Sequence, residues 1–213
     1  SIDIGLDKFF PKNNLNLSAT VFFLEYKNDI KGWASHGGGR RISYDGEGDE
    51  YVLDNSNSKT ESYGLELLSN WSPIESYSFE LGYTRTESYD GTTCDNPDAT
   101  GGPGSAACND EMNVRVPRHQ INFSGIKNLS NNFTQTLKLK YVGERRDYGN
   151  TNNGFEDVIL SNYFTADYIL NYKLFKAYNL NFSAKNIFDK NYSEAYEYKA
   201  PGRSLNFMIS KSY

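Results

Sequence analysis

Apolar and polar residues alternate with period two through most of the chain, and this pattern predicts strands rather than helices. Segment 2–10 sets Ile2, Ile4, Leu6 and Phe10 against Asp3 and Asp7, and 15–25 places Leu15, Leu17, Ala19, Val21 and Phe23 together. Segment 63–71 groups Tyr63, Leu65, Leu67 and Trp71 against Glu66 and Asn70, and 77–86 groups Phe79, Leu81 and Tyr83 against Glu80 and Thr84. In 119–127, Ile121 and Phe123 oppose Gln120, Asn122 and Ser124; in 133–143, Leu137, Leu139 and Tyr141 oppose Thr136, Lys138 and Lys140. Segment 162–173 presents Phe164, Ala166, Tyr168, Leu170 and Tyr172, and 178–185 presents Leu180, Phe182 and Ala184. Residues 203–213 end the series with Leu205, Phe207, Ile209 and Tyr213 on one face. About nine strands are predicted. Their apolar faces carry no charge at mid-strand; Lys8, Glu25 and Lys211 fall near strand ends, while Glu80, Lys138, Lys140 and Asp167 take the opposite face. A lysine facing lipid at mid-bilayer costs about 2–4 kcal/mol, so such faces are compatible with a membrane. A soluble sandwich also alternates, so alternation alone does not decide.

The connections between these strands alternate in length. Residues 11–14, 72–76, 129–132 and 175–177 are tight; 30–58, 88–117, 147–161 and 189–202 are long and polar. Bacterial outer-membrane barrels have short periplasmic turns and long extracellular loops. Phe10, Trp71, Phe133, Phe175 and Tyr178 flank the short turns, where an aromatic girdle belongs. The soluble alternative is a set of aromatic cross-strand pairs.

Composition narrows the classes further. In 213 residues the hydrophobic fraction is 38% and the mean hydropathy is -0.68, yet aromatics reach 15%, with 17 Tyr and 13 Phe. That balance suits sheets with one apolar and one polar face rather than disorder. The longest apolar run, Val21-Phe22-Phe23-Leu24, is far below the roughly 20 residues of a spanning helix. A net charge of -5 leaves no basic footprint for nucleic acid. Without an initiator Met or signal peptide at Ser1, the sequence reads as a mature fragment or the tail of a longer protein. Cys94 and Cys108 share a Gly/Pro/Asn-rich stretch; in an oxidising compartment they would close one loop by a disulfide. A metal pair is the alternative reading, but further Cys or nearby His are missing.

The C-terminal stretch carries a resemblance. Asn186-Ile187-Phe188-Asp189-Lys190-Asn191-Tyr192, a Tyr-rich loop, Pro201-Gly202-Arg203 and a last strand ending on Tyr213 closely resemble the end of TonB-dependent outer-membrane receptors. Lys59-Thr60-Glu61-Ser62-Tyr63-Gly64-Leu65-Glu66 resembles a strand entry of that family, and Val116-Pro117-Arg118-His119 its arginine-containing strand start. Phe22 to Ile30 resembles a strand end of the same family. The family usually ends on Phe where this sequence has Tyr213, and Phe207 and Lys211 are unusual in its last strand. The resemblance implies an all-β fold: an antiparallel transmembrane β-barrel segment with short periplasmic turns and long extracellular loops. Residues 1–213 would be the C-terminal portion, the plug domain and N-terminal strands lying outside this sequence, since such barrels have about 22 strands. It further implies a location in the Gram-negative outer membrane and TonB-coupled import of a scarce bulky nutrient. The cobalamin and ferric-siderophore receptors are the most similar in look. Outer-membrane lipid, lipopolysaccharide, the TonB complex (through the missing N-terminal region) and a metal chelate or corrinoid are the implied partners; Tyr213 would be the assembly signal. A passive porin or a surface adhesin is the alternative.

Candidate chemistry points to binding. His36 and His119 lack a nucleophile and an orienting partner, and Gly37-Gly38-Gly39 lacks the context of a phosphate loop. The sequence therefore reads as non-enzymatic, with no cofactor expected. Trp33, His36, Arg40, Arg41 and Tyr44 in one long loop, and Arg145, Arg146 and Tyr148 in another, combine rings with guanidinium groups that could hold an anionic chelate. The equal alternative is solvated loop charge. Tyr192, Tyr196 and Tyr198 would line the mouth or form an outer girdle. Asn152, Asn153, Glu156 and Asp157 offer oxygen ligands of the type calcium takes, though their spacing matches no defined loop.

Overall fold

The computed structural model describes residues 1–27, 30–31, 39–43, 49–55, 59–90, 111–151, 154–174 and 177–211. Seventeen strands lie among them. In order they are β1 (Ile2–Phe10), β2 (Leu15–Lys27), β3 (Ile30–Lys31), β4 (Gly39–Ser43), β5 (Asp49–Asn55), β6 (Lys59–Ile74), β7 (Tyr77–Asp90), β8 (Glu111–Met112), β9 (His119–Ser130) and β10 (Phe133–Val142). There follow β11 (Arg145–Thr151), β12 (Gly154–Leu160), β13 (Tyr163–Leu174), β14 (Tyr178–Lys185), β15 (Ser193–Ala195), β16 (Tyr198–Lys199) and β17 (Ser204–Lys211). The main sheet runs β1-β2-β6-β7-β9-β10-β13-β14-β17, with β8 paired to β7. These nine path strands are the nine that period-two alternation predicts.

The remaining strands all fall inside the long connections, which read as loops in sequence. β3-β5-β4 form a separate sheet between β2 and β6, β11-β12 a hairpin after β10, and β15-β16 a small pair after β14. Two turns are also tighter than the residue types suggest. β6 runs through Pro73 to Ile74, leaving only 75–76 as turn, and 131–132 joins β9 to β10. Pro73 is tolerated because it stands at the penultimate strand position, where a missing N–H costs little. At the first turn, Pro11–Asn13 form one 3-10 turn and Asn14 adopts a left-handed conformation at φ 48. Asn and Asp are the non-glycine residues that visit this region most readily. The Asn14 amide donates to Ser72 O at 3.0 Å and Ser72 N–H donates to Asn14 O at 3.0 Å, pinning the turn to the end of β6.

The fold divides into two compact units. One comprises 1–2, 22–63 and 87–113 and holds the β3-β5-β4 sheet; the other comprises 3–21, 64–86 and 114–213. In the larger unit, register sets the two faces strand by strand. Leu81 opposes Phe123, Phe123 opposes Leu139, and Leu139 opposes Ala166. One residue along, Glu80, Ser124, Lys138 and Asp167 form the corresponding row on the other face. A one-residue slip would exchange the two sets, so the pattern fixes the register.

The exposure of the apolar face identifies its environment. Ile4, Leu6, Val21, Leu81, Leu137, Phe164, Leu205, Phe207 and Ile209 are all exposed, whereas the buried hydrophobics among the described residues are Val142, Leu160, Tyr163 and Ala166. A soluble protein rarely leaves so much contiguous apolar surface in water. Aromatic rings gather toward the turn end of this face, with Trp71–Phe79 centroids at 5.5 Å, Tyr77–Phe79 at 6.0 Å and Phe79–Phe123 at 6.2 Å. Gly125 makes room for them: a Cβ there would lie 3.2 Å from Phe123 and 3.4 Å from Phe79. Phe133 meets Tyr172 edge-on at 6.0 Å. At the other end, Tyr83 stacks on His119 and Phe164 on Phe188, both with centroids 6.1 Å apart. Phe175 lies outside the described residues.

Candidate functional site

The polar faces of β7, β9, β10, β13, β14 and β17 line a cavity of about 770 Å³. Alternation places the side chains there: Glu80, Asn122, Ser124, Lys138, Lys140, Thr165 and Asp167 come from successive strands at neighbouring rows. Lys185, Ser204 and Asn206 extend the lining across β14 and β17, and Asn186, Tyr192, Pro201 and Gly202 bound it near the two ends of the last long connection. Three lysines against two carboxylates leave the wall with one net positive charge (3 − 2 = +1). The other lining groups are mostly amides and hydroxyls, suited to neutral or anionic oxygen-rich surfaces.

A second cluster lies where β11, β12 and the 192–196 segment meet. Asp147 on β11 is fully buried. Its Oδ1 accepts from Arg115 Nε at 2.9 Å and from Tyr148 N–H at 2.9 Å; its Oδ2 accepts from Tyr196 N–H at 2.6 Å. Arg115 holds φ 64, and its own N–H donates to Arg146 O at 2.7 Å. The same carboxylate therefore ties together three stretches that are distant in sequence. Beside it, Arg145 is 5% exposed, donates through Nη2 to Ser193 O and lies 5.3 Å from the Tyr163 ring centroid. Its Nη1 has no hydrogen-bond partner among the described residues; the ring face of Tyr163 supplies the compensating negative potential. Tyr163 stacks on Tyr192 with centroids 4.0 Å apart. Burial, then the neighbouring Tyr163 and Glu194, push the Tyr192 phenol above its ordinary pKa, against the opposing pull of Lys140. Gly149 admits the Tyr196 ring: a Cβ there would sit 2.6 Å from Val158 Cγ1 and 3.1 Å from Tyr196.

A third arrangement explains the Asn186–Arg203 sequence motif. Asn186 is buried, with φ 48; its N–H donates to Asp167 Oδ1 at 2.8 Å and its amide to Lys190 O at 2.9 Å and Pro201 O at 3.3 Å. Its Oδ1 accepts from Lys190 N–H at 2.9 Å. Asp189, at φ 53, accepts from Arg203 N–H at 2.8 Å. These bonds fold the chain out of β14 and return it to β17 beside the cavity.

Of the residues singled out in sequence, Arg145, Arg146, Tyr148, Tyr192 and Tyr196 come together in the second cluster. Arg146 pairs with Asp157 at 2.7 Å and lies 5.1 Å from the Tyr148 ring. Tyr198 is 75% exposed and stands apart from the Asp147 contacts. Arg40 and Arg41 lie on β4 opposite Val52 and Tyr51. Trp33, His36, Tyr44, Cys94, Cys108, Asn152, Asn153, Tyr213 and the Glu156 side chain lie outside the described residues. Among the described residues, no group of three His, Cys, Asp or Glu gathers as metal ligands. Asp147, Arg115, Lys140, Tyr163 and Asn186 are the members that residue-type reasoning passes over. An Asp set between arginines and a tyrosine reads as solvated until its partners, 32 and 49 residues away, are in place.

The comparisons agree with this architecture. The ferripyoverdine receptor of the outer membrane of Pseudomonas aeruginosa bound to ferripyoverdine superposes with a TM-score of 0.67 at 16% identity, over 97% of this chain and 26% of that one. The FrpB iron transporter from Neisseria meningitidis (F5-1 variant, apoprotein form) gives 0.69 at 15% identity, over 97% and 30%. The siderophore receptor PirA from Acinetobacter baumannii gives 0.66 at 16% identity, over 99% and 31%. The chain thus spans less than a third of the length of these proteins. No curated protein matches it by sequence. The family model described as TonB dependent receptor-like, beta-barrel matches residues 1–187. The chain belongs to this family, whose members are β-barrels of the Gram-negative outer membrane.

Proposed function

We propose that residues 1–213 form the C-terminal wall and outer loops of a longer receptor that imports a ferric siderophore by TonB-coupled transport. The observation that carries this reading is the two-faced wall: an exposed apolar face and a polar face lining a cavity, with three of the long connections tied together at Asp147. Family membership supports a receptor rather than an enzyme. The named functions of FrpB, PirA and the ferripyoverdine receptor favour iron over a corrinoid as cargo. In this reading the short turns face the periplasm, and the TonB contact and plug belong to sequence upstream of Ser1. Arg40, Arg41, Arg146 and Tyr148 would meet an anionic chelate through charge-assisted hydrogen bonds and ring stacking.

The test is uptake of radioactive iron into iron-starved cells, with and without the receptor gene, from catecholate, hydroxamate and citrate-type chelates, with labelled cobalamin in parallel. Receptor-dependent iron uptake that stops on loss of TonB is the outcome expected. Receptor-dependent uptake indifferent to TonB would mean a passive pore, and cobalamin uptake alone would replace the cargo.

A further inference from the structure

Within the described strands, the apolar face carries charge in a one-sided way at its turn end. Alternation puts Lys8 next after Leu6 on β1, Lys127 next after Gly125 on β9, and Lys211 next after Ile209 on β17. All three lie within three residues of the strand end that leads away from the long connections. Each ammonium also sits against an aromatic ring: Lys8 is 5.8 Å from the Phe10 centroid, Lys127 5.1 Å from Tyr77, and Lys211 5.7 Å from Tyr178. Among the described residues no side-chain carboxylate falls on this row; Asp7, beside Lys8 in sequence, takes the other face, and Glu75 belongs to the turn itself. At the long-connection end of the same faces the signs are mixed. Glu25 pairs with Lys27 at 2.9 Å on β2, and Glu87 accepts from Tyr89 on β7.

A lysine on a lipid-facing row keeps its stem in the apolar layer and raises its ammonium to the headgroups. A ring level with it, or just beyond it toward the headgroups, holds it at that depth. A row that is cationic only, at one membrane boundary only, matches a layer of lipid phosphates. We propose that Lys8, Lys127 and Lys211 bind the phosphates of anionic glycerophospholipids, of the phosphatidylglycerol type, in the periplasmic leaflet. This rests on the reading that the short turns face the periplasm; the opposite leaflet would present lipopolysaccharide phosphate instead.

The experiment uses the full-length receptor, purified in mild detergent and mixed with phosphatidylglycerol, phosphatidylethanolamine or lipid A. Retained lipid is counted by native mass spectrometry. Wild type should retain phosphatidylglycerol over phosphatidylethanolamine, each Lys→Gln change should lower that preference by roughly five-fold, and Lys→Arg should preserve it. A preference unchanged in the Lys8→Gln/Lys127→Gln/Lys211→Gln variant overturns the proposal, as does a lysine-dependent preference for lipid A. Heat-modifiable gel migration checks each variant for an intact barrel, and K127Q alone serves if the triple variant does not assemble. Failure of the wild type to form a heat-modifiable species would count against the barrel reading itself.

Discussion

Replacing Asp147 by Asn keeps the shape of the side chain and removes the charge that three donors share. Hydrogen bonds to a charged group contribute about 1.5–3 kcal/mol each, and a buried donor left without its acceptor costs more than the bond it loses. D147N should therefore lower the stability of the folded receptor by about 2–3 kcal/mol, read as the urea midpoint of the heat-modifiable form, and expose the 189–202 segment to protease. Asn186 predicts a similar local effect: Asn186→Ala removes bonds to Lys190 and Pro201 and strains a left-handed residue, so cleavage near 190–200 should rise. Tyr192 supplies a pH dependence. Its folded-state pKa lies above the unfolded value, so its contribution is present below about pH 10 and declines as pH rises through the folded value. Alkaline titration followed by absorbance at 295 nm should show a late-titrating phenol that Tyr192→Phe deletes. The Asp147 cluster is half legible in sequence. Arg145, Arg146 and Tyr148 advertise themselves by type, whereas Asp147 acquires its role only from Arg115 and Tyr196, brought in by tertiary structure.

Among the elements, the legible strands are those of the main sheet, with an apolar face toward lipid and a polar face opposite. β10 alternates Leu137, Lys138, Leu139, Lys140, and nothing but a two-sided environment requires that order. β11, with Arg145-Arg146-Asp147-Tyr148-Gly149-Asn150-Thr151, meets polar groups on both sides, so period two carries no information there. β15 and β16, at three and two residues, are too short for any period to show, which is why the last long connection reads as structureless. The two faces predict opposite responses to charge. Leu137→Arg, in mid-strand on the lipid face, should cost about 2–4 kcal/mol and reduce the assembled fraction; removing charge from the cavity face by Lys138→Gln should leave assembly near wild type. The heat-modifiable fraction in isolated outer membranes measures both.

For the molecule as a whole, the alternating connection lengths give an orientation that can be read chemically. In a Cys94→Ser/Cys108→Ser background, a cysteine at the exposed Tyr198 should react with a membrane-impermeant maleimide on intact cells. A cysteine at Glu75, in the turn between β6 and β7, should react only after the outer membrane is permeabilised. Equal labelling at both sites would invert or abolish the assignment of inside and outside.

The order β1-β2-β6-β7-β9-β10-β13-β14-β17 has each wall strand beside its nearest wall neighbour in the chain. Nothing crosses over, and no wall strand waits for a distant partner. Loop closure between such neighbours is entropically modest, so pairing can advance from either end one strand at a time. The same arrangement makes the hairpin a modular unit of inheritance. Two strands, their turn and their outer loop can be gained, lost or exchanged between relatives without rewiring the rest, so loop specificity can change while the wall that carries it is kept.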